Sequence, residues 1–346
     1  MANRKTQGNK TGGAPVKFRA LHAALLAGSL AAALPLAGQN YTDDVHIVPR
    51  ANPSDEIAES IPSGLRAYSP PIKVNVGLVL VPVTVVDDYS RLVVGLAKNN
   101  FQVYEGKHAI DIQNFSREDG PVSVGIVLDC SGSMKDKMQR AREAISEFLE
   151  SANPQDEFFL VSFSDTPQLM GDFTQSIEEI QGRLPTVFPR GRTSLIDAVY
   201  LALDKMRSAR YQRRALLVIS DGGDNHSRYT VGELTHAVRE ADTLIYAIGL
   251  YDYRFATIEE RMGPELLDDI SSVTGGRSFT IDNPNELSAV AKYVGKALRN
   301  QYVLAYRPSD KNDGKWRKIR IKLRLLPKGV PHLRIYAKTG YYAPLK

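Results

Sequence analysis

Asp129, Ser131 and Ser133 stand at alternate positions in Asp129-Cys130-Ser131-Gly132-Ser133, directly after the continuous apolar run 122–128. One carboxylate and two hydroxyls at the end of a buried strand make a cluster of hard oxygen donors. Such donors suit Mg²⁺, a strongly hydrated cation that keeps part of its water when bound. An open α/β sheet binds ligands at the carboxyl ends of its strands, where the strand order reverses. Two further oxygen donors fall at comparable places. Thr193 lies in Pro189-Arg190-Gly191-Arg192-Thr193-Ser194, a loop that opens a helical pattern, and Asp221 follows the apolar run 215–220 and precedes Gly222-Gly223. Asp129, Ser131, Ser133, Thr193 and Asp221 are the candidate metal ligands, for Mg²⁺ first and for Mn²⁺ or Ca²⁺ as other hard ions.

The elements that must hold these residues are legible from periodicity. Runs 122–128, 158–163, 215–220 and 244–250 are predominantly apolar, and helical spacing falls at 135–151, 194–208, 231–241, 264–273 and 285–299. Continuous apolar strands between helices imply a mostly parallel sheet covered on both faces, a doubly wound α/β fold. Segments 169–173 and 278–281 read as short strands. Before this region, 72–86, 101–104 and 110–115 have β character, with Glu105-Gly106-Lys107 as a turn. After it, 302–306, 318–325 and 333–338 return to β character, and 318–325 alternates basic with apolar residues. Neither set can bury a core alone. The simplest solution pairs them, so that the α/β domain is inserted in, or flanked by, an antiparallel β-sandwich. The expected segments are 1–38, 39–70 (a linker rich in Asn, Asp, Pro, Ser and Glu), 71–118 (β), 119–300 (α/β) and 301–346 (β).

Residues 1–38 read as an export signal. Five basic residues and no acidic ones accompany the apolar run 21–34, followed by Pro35 and the small Ala37-Gly38. Cleavage would leave no membrane span and place the chain in the periplasm, outside the cell or at its surface. The formal charge of +5 comes from this stretch, because the other 39 basic residues balance 39 acidic ones. The basic balance is therefore no argument for nucleic-acid binding. Cys130 is the sole cysteine, so no intramolecular disulfide forms. An extended backbone turns its side chain away from the two serines, which makes it a buried filler. The stripe Lys318, Arg320, Lys322 and Arg324 reads as a solvated strand face.

The ordered set Asp129-x-Ser131-x-Ser133, then Thr193 in Gly-x-Thr, then Asp221 in Ile-Ser-Asp-Gly-Gly resembles the von Willebrand factor A (VWFA) domain with an intact metal ion-dependent adhesion site (MIDAS). Residues 221–230, the flanking β segments and Lys315-Trp316-Arg317-Lys318 are similar to the acidobacterial VWFA-related domain family. The resemblance implies that Ser131 and Ser133 ligate the ion directly and Thr193 directly or through water. Asp129 and Asp221 would act mostly through water. With only two carboxylates the ion would stay electrophilic and accept an Asp or Glu from a protein partner.

That reading is an exported adhesion-type protein-binding module. The alternatives are a structural or assembly component of the cell envelope and a Mg²⁺-dependent hydrolase. An enzyme is disfavoured: no Gly-x-Ser-x-Gly elbow or His-Glu-x-x-His motif occurs, and no catalytic residue is assigned. Lys135 and Lys137, the nearest cations, are expected on the solvent face of the first helix.

Overall fold

A computed structural model describes residues 45–46 and 77–344, apart from 118, 222, 252–257, 309–312 and 327–331. The expected export signal of 1–38 lies outside these residues, as do the expected linker (except 45–46) and the start of the first expected strand at 72–76.

The α/β part is built on a six-stranded sheet. Its strands are β7 (Ser123–Asp129), β8 (Glu157–Phe163), β9 (Pro167–Thr174), β10 (Arg214–Ser220), β11 (Leu244–Leu250) and β12 (Ser278–Ile281), in the order β12-β11-β10-β7-β8-β9. All neighbours are parallel except β9, an antiparallel edge. The apolar runs have no polar phase because each strand serves two cores in alternation. Val124, Ile126, Leu217 and Ile219 face α1 (Met138–Glu150) and α6 (Leu287–Arg299). Val127, Phe159, Leu216 and Val218 face α3 (Leu195–Met206), α4 (Val231–Glu240) and α5 (Ile258–Thr274). From β7 the chain moves outward through β8 to β9, then returns to β10 on the opposite side of β7. The carboxyl ends of β7 and β10 therefore flank the reversal of strand order, the place where such sheets leave a crevice.

The flanking segments form two four-stranded sheets packed on a third core. One has the order β15-β2-β13-β6 and the other β16-β14-β4-β5. Here β2 is Val79–Asp87, β4 Phe101–Glu105, β5 His108–Ile110 and β6 Ile112–Ser116. On the far side of the α/β part come β13 (Tyr302–Tyr306), β14 (Trp316–Leu323), β15 (Leu333–Ala337) and β16 (Gly340–Tyr342). The two-residue strands β1 (Val45–His46) and β3 (Val93–Val94) pair separately. β13 lies between β2 and β6, and β14 lies beside β4, so the N- and C-terminal segments interleave strand by strand. Phe101, Phe115 and Tyr302 form an aromatic centre with ring centroids 5.0–5.9 Å apart. The basic stripe alternates as expected: Lys318, Arg320 and Lys322 are exposed while Ile319 is buried. Arg320 and Lys322 cover the ring of Tyr104.

Several elements depart from expectation. The short strands β1 and β3 were not expected, and the segment 110–115, expected as one strand, is divided between β5 and β6 in different sheets. α1 begins at Met138 rather than residue 135, because Gly132–Met134 forms a 3-10 turn first. α5 begins at Ile258 and carries Pro264 inside it, not at its start. The short helix α2 (Ile177–Arg183) and the strand β16 were not expected.

Gly125, in the middle of β7, is where the strand that carries Asp129 packs tightest. A Cβ there would lie 2.3 Å from Phe159 Cζ and 2.6 Å from Leu216 Cδ2. Gly125→Ala is expected to cost about 1–3 kcal/mol through overpacking, read from urea unfolding. A variant as stable as the parent would show that this core can give way.

Candidate metal centre

The site is assembled from three loops on the carboxyl edge of the sheet. β7 ends at Asp129, whose Oδ1 accepts the backbone N–H of Ser131 at 2.8 Å. That local bond bends the chain out of the strand and into the 3-10 turn. It brings the hydroxyls of Ser131 and Ser133 within 3.0 Å of each other. The loop 189–193 docks on this turn through two backbone bonds: Gly132 N–H donates to the Gly191 carbonyl and Arg190 N–H to the Cys130 carbonyl. Gly191 has φ +72°, and a Cβ there would meet Asp165 Oδ2 at 2.3 Å, so the loop needs glycine. Thr193 is buried. Its N–H donates to Asn225 Oδ1, and its carbonyl accepts from the N–H groups of Asn225 and His226, each at 3.0 Å. The third loop thereby clamps the second.

Asp129 and Asp221 are both buried, 0% and 2% exposed. Asp129 Oδ2 accepts the Ser220 hydroxyl at 2.6 Å. The register that sets Ile219 opposite Leu128 places Ser220 beside Asp129. Asp221 Oδ2 accepts from Lys137 Nζ at 3.2 Å, whereas its Oδ1 is buried and meets no hydrogen-bond donor among the described residues. Burial, and after it the charge of Asp221, push the Asp129 carboxyl from 3.8 up to about 7; the bonds from Ser220 and Ser131 oppose this. A buried carboxylate whose proton affinity is raised by burial and by a second buried carboxylate beside it calls for positive charge.

The donors fit a hard cation. All five expected residues lie on these three loops, and they offer carboxylate and hydroxyl oxygens only. Among the described residues no group of three or more His, Cys, Asp or Glu side chains gathers as a thiolate or imidazole site would. Cys130 is buried as expected, and its thiol donates to the Phe163 carbonyl at 3.0 Å. Burial, with the Asp129 charge second, pushes that thiol up to about 11, so it stays protonated at neutral pH.

One expectation needs revision. Lys137 does not lie on a solvent face: its ammonium reaches inward to Asp221 and to the Leu250 carbonyl, at 3.1 Å. Of the two lysines, Lys135 is the exposed one. Asn225 orders Thr193 through its side-chain oxygen. Ser220 was not singled out, because a single serine at the end of an apolar run carries no signal without the register of β7 and β10.

Residues 124–223 match the family model of the von Willebrand factor type A domain. The mixed α/β architecture, with its mostly parallel central sheet and flanking antiparallel sheets, is of that type. Inter-alpha-trypsin inhibitor heavy chain H4 of Bos taurus is 30% identical over 209 residues, which cover 52% of this chain and 22% of that protein. The Homo sapiens protein of that name is 27% identical over 161 residues, 40% of this chain and 17% of that one. The chain thus spans about a fifth of the length of the curated relatives it matches. Among solved structures, a von Willebrand factor type A protein from Catenulispora acidiphila aligns with TM-score 0.44 at 13% identity, covering 78% of this chain and 74% of that one. Proximal thread matrix protein 1 of the mussel byssus, described with a zinc occupied MIDAS motif, aligns with TM-score 0.45 at 18% identity, covering 56% and 49%.

Ser220→Ala removes a donor from a buried carboxylate. The expected cost is about 1–3 kcal/mol, measured by chemical unfolding of the metal-free protein. A change below about 0.5 kcal/mol would mean that the Ser131 N–H alone satisfies Asp129.

Proposed function

We propose that the chain is an exported, metal-dependent protein-binding module that holds Mg²⁺ at Asp129, Ser131, Ser133, Thr193 and Asp221. The observation that carries this reading is the buried Asp129–Asp221 pair, with Asp221 Oδ1 lacking a donor among the described residues. Ser131 and Ser133 would hold the ion through their hydroxyls, and Thr193 directly or through water. Asp129 and Asp221 would supply the charge, largely through water. Mn²⁺ or Ca²⁺ could take the same oxygens. When bound, the ion supplies Lewis acidity toward an external carboxylate, and an Asp or Glu of a protein partner is the group we assign to it.

This chain's own residues prepare that contact. Ser220 and the Ser131 N–H orient Asp129, Asn225 fixes Thr193, and Gly191 lets the loop 189–193 lie close against the turn. Gly132 and Ser133, on the outer side of the turn, are exposed to an approaching partner. Binding is favoured over nucleophilic catalysis because the Ser131 and Ser133 hydroxyls bond each other rather than an imidazole, and His226 Nε2 instead meets Arg192 at 2.8 Å. Export rests on the basic and apolar stretches of 1–38. Among the described residues no helix is long and apolar enough to cross a membrane.

Mg²⁺ at a hundred times its dissociation constant is expected to stabilise the folded chain by about 2.7 kcal/mol, seen as a rise in melting temperature. Asp129→Ala should lose this rise while keeping its far-ultraviolet circular dichroism. Capture of an acidic protein partner should be lost in EDTA. An unchanged melting temperature at millimolar Mg²⁺ would sink the metal reading, and capture that persists in EDTA would sink the ion-bridging one.

A further inference from the structure

We propose that Lys137 is a built-in competitor of the metal: its ammonium shares Asp221 with the divalent ion and thereby sets how tightly the ion is held. The inference rests on the metal-site reading above and concerns a residue outside the five ligands. Lys137 Nζ lies 3.2 Å from Asp221 Oδ2 and 3.1 Å from the Leu250 carbonyl, with only 18% of its side chain exposed. It is thus anchored at the inner side of the site by two acceptors on different strand ends, those of β10 and β11. The same carboxylate keeps its other oxygen, Oδ1, buried and without a donor among the described residues. Asp221 is therefore divided, with one oxygen for the lysine and one left for a cation.

Placement argues that Lys137 does not serve the helix. It occupies the N-cap position of α1 and makes no side-chain capping bond. A cation at a helix N-terminus opposes the helix dipole, where Ser, Thr, Asp or Asn would be favoured. Lys137 is instead a substitute charge for the carboxylate pair when no divalent ion is bound. With the ion present, two carboxylates, the lysine and a dication sum to one excess positive charge. That excess has two effects: it loosens the ion, and it leaves the ion in greater need of an external anion.

The test is calorimetric titration of Mn²⁺ and Mg²⁺ into the full chain after EDTA stripping, comparing the parent with Lys137→Met, Lys137→Gln and Lys137→Arg. Removing a unit charge facing a dication across a partly solvated gap is expected to tighten metal binding on the order of tenfold in the Met and Gln variants. The Arg variant should stay near the parent. The Met variant should also melt below the parent without metal yet at or above it when saturated, an inversion that a purely structural lysine would not produce. The Gln variant keeps a donor while losing the charge, so it decides the matter if the Met variant does not fold. Unchanged or weaker metal binding in the neutral variants would overturn the proposal while leaving the metal site standing. If the parent and every variant bind no more metal than Asp129→Ala does, the metal-site reading falls and this inference with it.

Discussion

Mutual repulsion of two buried carboxylates is the constraint around which this molecule is organised. Asp129 and Asp221 stand at the ends of adjacent parallel strands, so the sheet fixes their approach and neither can relax toward water. An isolated charge in such a place is costly, and a like-charged pair more so. The surroundings answer with hydrogen bonds from Ser220 and the Ser131 N–H, and with the ammonium of Lys137. The orphaned oxygen of Asp221 marks where that compensation stops. A rigid frame is what holds the conflict in place: a softer one would let the carboxylates separate.

The frame extends beyond the α/β sheet. Arg277, at the start of β12, lies over the rings of Phe279, Tyr293 and Tyr336 and donates to the Tyr293 hydroxyl. One of its rings belongs to α6 and another to β15, so a single guanidinium ties the last helix of the α/β part to the sandwich. Gly275 packs so closely that a Cβ there would meet the Lys338 backbone N at 2.5 Å. The two parts are therefore joined by packed side chains and closely approaching backbone.

The strands that position the site were legible because being buried on both faces leaves an unmistakable mark, an apolar run with no polar phase. Asp129 and Asp221 were legible because each follows such a run directly. Lys137 was not. Its expected outward direction assumed a helix from residue 135, but the 3-10 turn at Gly132–Met134 shifts the phase, so the lysine precedes the first helical turn and swings inward. Ser220 depended on register between strands far apart in sequence. α2 escaped notice because Ile180 is the one buried residue of its seven, too thin a stripe for a periodic signal. Pro264 suggested a helix start, since proline suits the first turn, yet the helix accommodates it within.

The antiparallel pairing of β6 with β13 sets Phe115 opposite Leu304, although the whole α/β part separates them along the chain. Joining those strands in an unfolded chain means closing a very long loop, an entropic cost that grows only as the logarithm of its length but yields no contact until it is met. Within the inserted part, neighbouring strands such as β7 with β8 and β10 with β11 lie far closer along the chain than β6 and β13 do, and nearer pairings form more readily. Folding of that part brings the outgoing strand beside the incoming one and replaces the long loop with a short, preformed bridge. The order of assembly is thereby written into the topology: the α/β part acts as the template on which the sandwich closes, so a lesion such as a strained β7 would delay both.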